Sequence, residues 1–120
     1  MVVGIIGSTS ISDCDLEKFI RLKEVSHIIT GEEKKIHKIA SQYAQKHNLS
    51  CSIMRKDTER FGPAACNIRD LAIVSHCDKV YVFWDGKSEE TKYIVDFAYD
   101  CEREVSMVII MYENEKYLYN

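Results

Sequence analysis

The residues best suited to chemistry lie after the fourth apolar run, in the segment Trp84-Asp85-Gly86-Lys87-Ser88. The ring of Trp84 could stack on a base or a sugar, and the carboxylate of Asp85 could accept hydrogen bonds from ribose hydroxyl groups. Lys87 could bind a phosphate. A tight Asp-Gly turn after a core tryptophan explains the same residues, so the segment leaves both interpretations open.

A second candidate is the loop Gly7-Ser8-Thr9-Ser10, which follows the first apolar run. Its small residues and hydroxyl groups precede a predicted helix, and backbone N–H groups there could hold an anion. A plain strand-to-helix turn with a serine cap is the alternative. Because ligands of open parallel sheets bind beyond the carboxyl ends of the strands, we expect a ligand between this loop and the segment 84–88.

Arg69 is the cation that we expect nearest to this cleft. It lies on the inward side of a predicted helix, where a guanidinium needs an anionic partner or a route to solvent. It could bind a phosphate, or it could form a structural ion pair with a nearby carboxylate. The candidate partners are Asp57, Asp70 and Asp85.

The histidines and cysteines predict no metal site and no cofactor. The four histidines show no spacing typical of metal ligands, and each is expected at the surface or at a helix end. The five cysteines include no Cys-x-x-Cys pair, so they predict neither a disulfide framework nor a zinc site. We expect reduced, mostly buried thiols.

Five short apolar runs alternate with segments of helical periodicity, and these elements would position the candidate residues. Strands are predicted at 2–6, 25–30, 49–54, 79–84 and 105–111, and helices after Ser12 and at 32–47, 64–75 and 89–102. Glu32 and Glu33 are expected in the first turn of the second helix. The alternation predicts a three-layer, Rossmann-like α/β fold with a five-stranded parallel sheet, covered on both faces, in the order 3-2-1-4-5.

Composition indicates one domain over residues 1–120, with a polar and aromatic tail at 112–120. The net charge is −3 and no basic patch is present, which argues against nucleic acid as a partner. The apolar runs are too short to span a membrane, and no signal peptide is recognisable. We therefore expect a cytoplasmic protein without a membrane partner.

The chain resembles the SLOG superfamily and, within it, the small YspA-like proteins of unknown function. The resemblance rests on Val2-Val3-Gly4-Ile5-Ile6-Gly7-Ser8, on Ile28-Ile29-Thr30-Gly31 and on the segment 84–88, and it extends from Val2 to about Met111. Lonely Guy phosphoribohydrolases and the DNA-processing protein DprA are relatives. The resemblance implies a Rossmann-like fold, a nucleotide or nucleotide-derived ligand that Gly31 would help to bind, and a homo-oligomer, since relatives pair through helices.

The phosphate-binding motif of this superfamily is degraded here. Members usually have Gly-Gly-Ala-x-Gly-x-Asp after the second strand, where this chain has Gly31-Glu32-Glu33-Lys34-Lys35-Ile36-His37. Two glutamates would add bulk and repel a phosphate, and a salt bridge from either could seal the cleft. Ile94 stands where the similar nucleoside deoxyribosyltransferases carry a nucleophilic glutamate, and it cannot act as one.

These observations favour a non-catalytic protein that binds or senses a nucleotide or nucleotide derivative. One alternative is a homo-oligomeric interaction protein that has lost ligand binding. Another is a hydrolase of nucleoside or nucleotide N-glycosidic bonds that uses Asp85 and Asp96, but no residue is assigned as catalytic. The predicted ligand-binding residues are Gly7, Ser8, Thr9, Gly31, Arg69, Trp84, Asp85, Gly86, Lys87 and Ser88.

Overall fold

Five parallel strands form one sheet in the computed structural model, which describes residues 1–110. The strands are β1 (Val2–Gly7), β2 (His27–Thr30), β3 (Ser50–Ile53), β4 (Lys79–Trp84) and β5 (Glu104–Ile109). Their order across the sheet is β3-β2-β1-β4-β5, and every neighbouring pair is parallel. The Rossmann-like fold and its strand order are thus confirmed, whereas the predicted tail at 112–120 lies outside the described residues.

Helices pack on both faces of the sheet. They are α1 (Lys35–Lys46), α3 (Ala65–Ser75) and α4 (Glu89–Asp100), and the short helix α2 (Thr58–Phe61) packs against α3. The buried residues of α1 share a core with one face of the sheet, and those of α3 and α4 share a second core with the other face. Among residues 1–110, no helix combines the length and the apolar character needed to cross a bilayer.

The predicted helix after Ser12 is wrong. Two short 3₁₀ turns, Leu16–Lys18 and Leu22–Glu24, take its place. The side chain of Asp15 accepts a hydrogen bond from the N–H of Glu17 at 3.1 Å, so local side-chain contacts compete with a continuous helix. Leu16 and Ile20 are nevertheless buried, so this segment contributes to the core without forming a continuous helix.

The predicted start of the second helix is also wrong, and this correction affects the site. Lys34 has an extended backbone, and α1 begins at Lys35. The N–H of Lys34 donates to Nδ1 of His37 at 3.2 Å, so the histidine ring satisfies a donor at the start of the helix. Glu32 and Glu33 therefore precede the helix, and their side chains reach across the end of the sheet.

Coverage of the sheet is complete at its centre and incomplete at its edges. β1 and β4 are buried on both faces; the sequence of β1 is uniformly apolar, and that of β4 is apolar after Lys79. On the edge strands, Ile53 is 43% exposed and Ile109 is 48% exposed.

The prediction of mostly buried thiols is wrong, because Cys77 alone is buried and the other four cysteines are half-buried.

Candidate functional site

Two groups of polar side chains flank the loop that follows β1. The first, called here the serine–aspartate cluster, consists of Ser8, Ser10, Asp85, Ser88 and Thr91. Ser8 Oγ lies 2.9 Å from Thr91 Oγ1 and accepts the N–H of Asp85 at 3.2 Å, and Ser10 Oγ donates to Asp85 Oδ2 at 2.7 Å. These bonds join the loop after β1 directly to the loop after β4.

The loop after β4 is a turn held by the Asp85 carboxylate. Oδ1 accepts the N–H groups of Lys87 and Ser88 at 2.9 and 2.7 Å, and Gly86 has a φ of +79°. Desolvation raises the pKa of Asp85. The hydrogen bonds from Ser88, Lys87 and Ser10 outweigh this effect and hold the pKa below its ordinary value. The Asp-Gly turn interpretation therefore accounts for Asp85 and Gly86.

Of the remaining predicted residues of this turn, Trp84 and Ser88 contact each other and Lys87 points away from them. Trp84 is half-buried and its Nε1 donates to the carbonyl of Ser88 at 2.8 Å. Ser88 Oγ caps α4 by accepting the N–H of Thr91 at 3.3 Å. Lys87 is exposed, so of these side chains it is the one that points freely to solvent.

The second group, called here the arginine cluster, consists of Glu33, Lys34, His37, Arg69 and Asp70. Arg69 is 3% exposed. Its Nη1 and Nη2 donate to the two carboxylate oxygens of Glu33 at 2.7 and 2.5 Å, and its Nε donates to Asp70 Oδ1 at 2.7 Å. Of the three predicted partners, Asp70 is thus correct, and Glu33 supplies a second carboxylate to the same guanidinium.

The other two predicted partners of Arg69 are wrong because each carboxylate is committed locally. Asp57 Oδ1 accepts the N–H of Arg60 at 3.1 Å and caps α2. Asp85 holds its own turn, as described above. A short aspartate side chain readily accepts hydrogen bonds from backbone N–H groups of neighbouring residues, and these local bonds compete with an ion pair to a distant arginine.

Charges in the arginine cluster stabilise one another. The hydrogen bonds from Arg69 lower the pKa of Glu33 to about 2, whereas burial raises the pKa of Asp70. Burial would lower the pKa of Arg69, but the two carboxylates raise it above its ordinary value. Lys34 Nζ donates to the carbonyl of Gly7 at 3.0 Å and adds a second cation at the same edge.

His37 lies in the first turn of α1, so it is a histidine at a helix end, as expected, but it is 1% exposed and is not at the surface. Because its Nδ1 accepts the N–H of Lys34, the proton of the neutral ring is on Nε2, and this buried atom has no partner among residues 1–110. Burial first, and then Arg69, lower the pKa of His37 to about 4. A Cβ at Gly31 would lie 2.6 Å from both Arg69 Nη1 and His37 Cε1, so a glycine is required there.

A cavity of about 450 Å³ opens beside the arginine cluster, and residues from four different segments line it. They are Thr9, Ser12, Glu33, Lys34, Lys35, Lys56 and Cys66. Thr9 is the residue of the predicted ligand set that lines it. Lys56 lies just beyond β3, and its position after a strand was the signal that could have identified it.

The lysines of this cavity have few partners. Lys56 Nζ lies 3.7 Å from Cys66 Sγ, and the ammonium group of Lys35 has no hydrogen-bond or ion-pair partner within residues 1–110. In the same range, no group of three or more His, Cys, Asp or Glu residues could hold a metal ion. The arrangement suits an anion.

No protein-family model, curated protein or solved structure shows a significant match to this chain.

Proposed function

We propose that this protein binds a small anionic ligand, a nucleotide or nucleotide derivative, in the cavity beside the arginine cluster and performs no reaction on it. The observation that carries the proposal is the lining of this cavity, which among residues 1–110 contains three lysines and one carboxylate. Its volume of about 450 Å³ falls within the ordinary range of small-molecule sites.

The charges around the cavity support an anionic ligand. Glu33, the carboxylate among the described lining residues, is already paired with Arg69. It therefore does not neutralise the positive charge of the lysines. Lys35 and Lys56 are exposed and could turn toward a ligand. Lysine is a usual ligand of phosphate groups, and the hydroxyl groups of Thr9 and Ser12 could add hydrogen bonds.

Position in the fold and the resemblance to the SLOG superfamily support the ligand class. The lining residues follow β1, β2 and β3, at the carboxyl ends where open parallel sheets bind their ligands. The superfamily resemblance adds a nucleotide-derived ligand to this general expectation.

The two carboxylates that a hydrolase would use make structural contacts, which favours binding without catalysis. Asp85 accepts hydrogen bonds from two backbone N–H groups and from Ser10. Asp96 is exposed on α4 and lies 3.4 Å from Lys92 Nζ. The N-glycosidic hydrolase and the homo-oligomer stay predictions.

Isothermal titration with AMP, ADP-ribose and inorganic phosphate tests the proposal. We expect Lys35→Ala and Lys56→Ala each to weaken AMP binding about fivefold, since each removes one partly solvated charge. Lys38→Ala is the matched control, because Lys38 is exposed on the same helix and does not line the cavity. The proposal fails if no probe binds the folded protein, or if Lys87→Ala weakens binding more than either cavity variant does.

A further inference from the structure

We propose that Arg69 is the oxyanion-binding group of this site and that Glu33 occupies it as an internal ligand, which an oxyanion group of the bound molecule replaces. This inference rests on the function proposed above. It assigns the chemical group that the site recognises, a phosphate or a carboxylate with two oxygens in one plane, and it assigns Glu33 as a competitor rather than a ligand-binding residue.

The geometry of the Arg69–Glu33 pair is that of an arginine bound to a ligand anion. Nη1 and Nη2 each donate to a different oxygen of the same carboxylate, at 2.7 and 2.5 Å. This two-bonded arrangement is the one with which arginine recognises carboxylate and phosphate groups. The oxygens of Glu33 therefore stand where two oxygens of a ligand anion would bind.

Glu33 is the exchangeable partner of Arg69, and Asp70 is the permanent one. The side chain of Asp70 is 7% exposed and binds Nε, whereas that of Glu33 is 25% exposed and lines the cavity. When Glu33 leaves, Asp70 still neutralises the buried guanidinium. The exchange therefore leaves neither Arg69 nor Asp70 as an unpaired buried charge.

The backbone around Glu33 also permits the exchange. Glu33 lies in the irregular segment between β2 and α1, and the first turn of α1 is capped by the ring of His37 and not by a glutamate. Releasing its carboxylate therefore breaks no hydrogen bond of the helix or the sheet. Lys35 and Lys56 line the space through which an incoming anion would approach.

An unused donor in the cluster is a second, independent observation. The N–H at Nε2 of His37 is buried without a partner among the described residues, and Nδ1 of the same ring lies 3.9 Å from Glu33 Oε2. Buried donors are nearly always satisfied, by protein, water or ligand. The ring that carries this donor lies beside Glu33 through its Nδ1 atom, and the N–H at Nε2 leaves the arginine cluster one acceptor short among the described residues.

The test is a titration of inorganic phosphate and of acetate into three variants of the full chain. Glu33→Gln keeps the shape and removes the charge, Glu33→Asp keeps the charge and is too short to reach both nitrogens in place, and Glu32→Gln removes the neighbouring charge, which pairs with the exposed Arg55. We expect the phosphate affinity to rise about tenfold in Glu33→Gln, about threefold in Glu33→Asp and less than twofold in Glu32→Gln.

The outcomes separate this inference from the proposed function. A gain for phosphate alone assigns a phosphate group, and an equal gain for acetate assigns either oxyanion. If wild-type protein binds AMP but Glu33→Gln gains no more than Glu32→Gln and Glu33→Asp gains nothing, then Glu33 is not a competitor and only the inference fails. If no probe, AMP included, binds the wild-type chain or any folded variant, the proposed function fails with it.

Discussion

The serine–aspartate cluster and the arginine cluster lie on opposite sides of the loop after β1. Their polar side chains fill the space at this end of the sheet in different ways. In the first, short hydroxyl and carboxylate side chains bond to one another and to backbone N–H groups, and the two loops are joined. In the second, long charged side chains from the β2–α1 segment and from α3 meet, and a cavity lies alongside. An N–H of His37 has no partner there within residues 1–110. Short polar groups close a crevice, whereas long charged groups leave space between their stems.

The sharpest way to break this comparison is to remove the guanidinium. Arg69→Met keeps the length of the side chain but leaves Asp70 buried without its cation. Breaking a buried ion pair from one side costs about 3–5 kcal/mol, so we expect the free energy of unfolding at pH 7 to fall by about that amount. Urea unfolding measures it.

Arg55→Met is the matched control for this variant. Arg55 pairs with Glu32 at 3.3 Å, but its side chain is 80% exposed, so the same substitution should cost less than about 1 kcal/mol. Equal losses in the two variants would show that the arginine cluster is no more important for stability than a surface pair.

The sequence predicted the fold well because the strands that carry it are simple. β4 was predicted at 79–84 and is found there, and its apolar run after Lys79 is typical of a strand buried on both faces. The predicted ends of the elements were less accurate. The helix α4 ends at Asp100 and not at 102, and Glu102 has a φ of +58°. Apolar periodicity reports burial, whereas helix ends depend on individual backbone conformations.

The arginine cluster was harder to predict, since it depends on a contact between distant residues. The inward position of Arg69 was predictable, but its main partner, Glu33, is 36 residues away. The glutamate was assigned to a helical turn, because the part played by Nδ1 of His37 in starting α1 cannot be deduced from periodicity. Lys34 and Lys35, which follow this glutamate in the sequence, both line the cavity.

A change of pH should affect the arginine cluster through His37. Its pKa is lowered to about 4 from an ordinary 6.5, by burial and by Arg69. Between these values the unfolded chain binds a proton that the folded chain does not, so the contribution of His37 is complete above pH 6.5 and is lost as the pH falls to about 4. We expect a loss of about 3 kcal/mol across this window, of which about 2 kcal/mol falls between pH 7 and pH 5.

Urea unfolding at pH 7 and at pH 5 measures this loss before Glu33 titrates, because the pKa of Glu33 is about 2 and its contribution disappears only below its ordinary 4.5. His37→Gln should flatten the dependence on pH, and His76→Gln, at an exposed position, should leave it as in the wild-type protein. A steep dependence that survives in His37→Gln would assign the effect to another group.

The smallest effect is expected in the serine–aspartate cluster, where Ser8→Ala removes a hydroxyl that is 1% exposed. The N–H of Asp85 then loses its acceptor, but the hydroxyl of Thr91 keeps Ser88 Oγ at 3.1 Å, so we expect a loss of about 1 kcal/mol in the free energy of unfolding. Ser10→Ala, which removes an exposed bond to the same aspartate, should cost less. A loss in Ser8→Ala as large as in Arg69→Met would mean that the short hydroxyl groups, and not the buried charges, hold this edge of the sheet together.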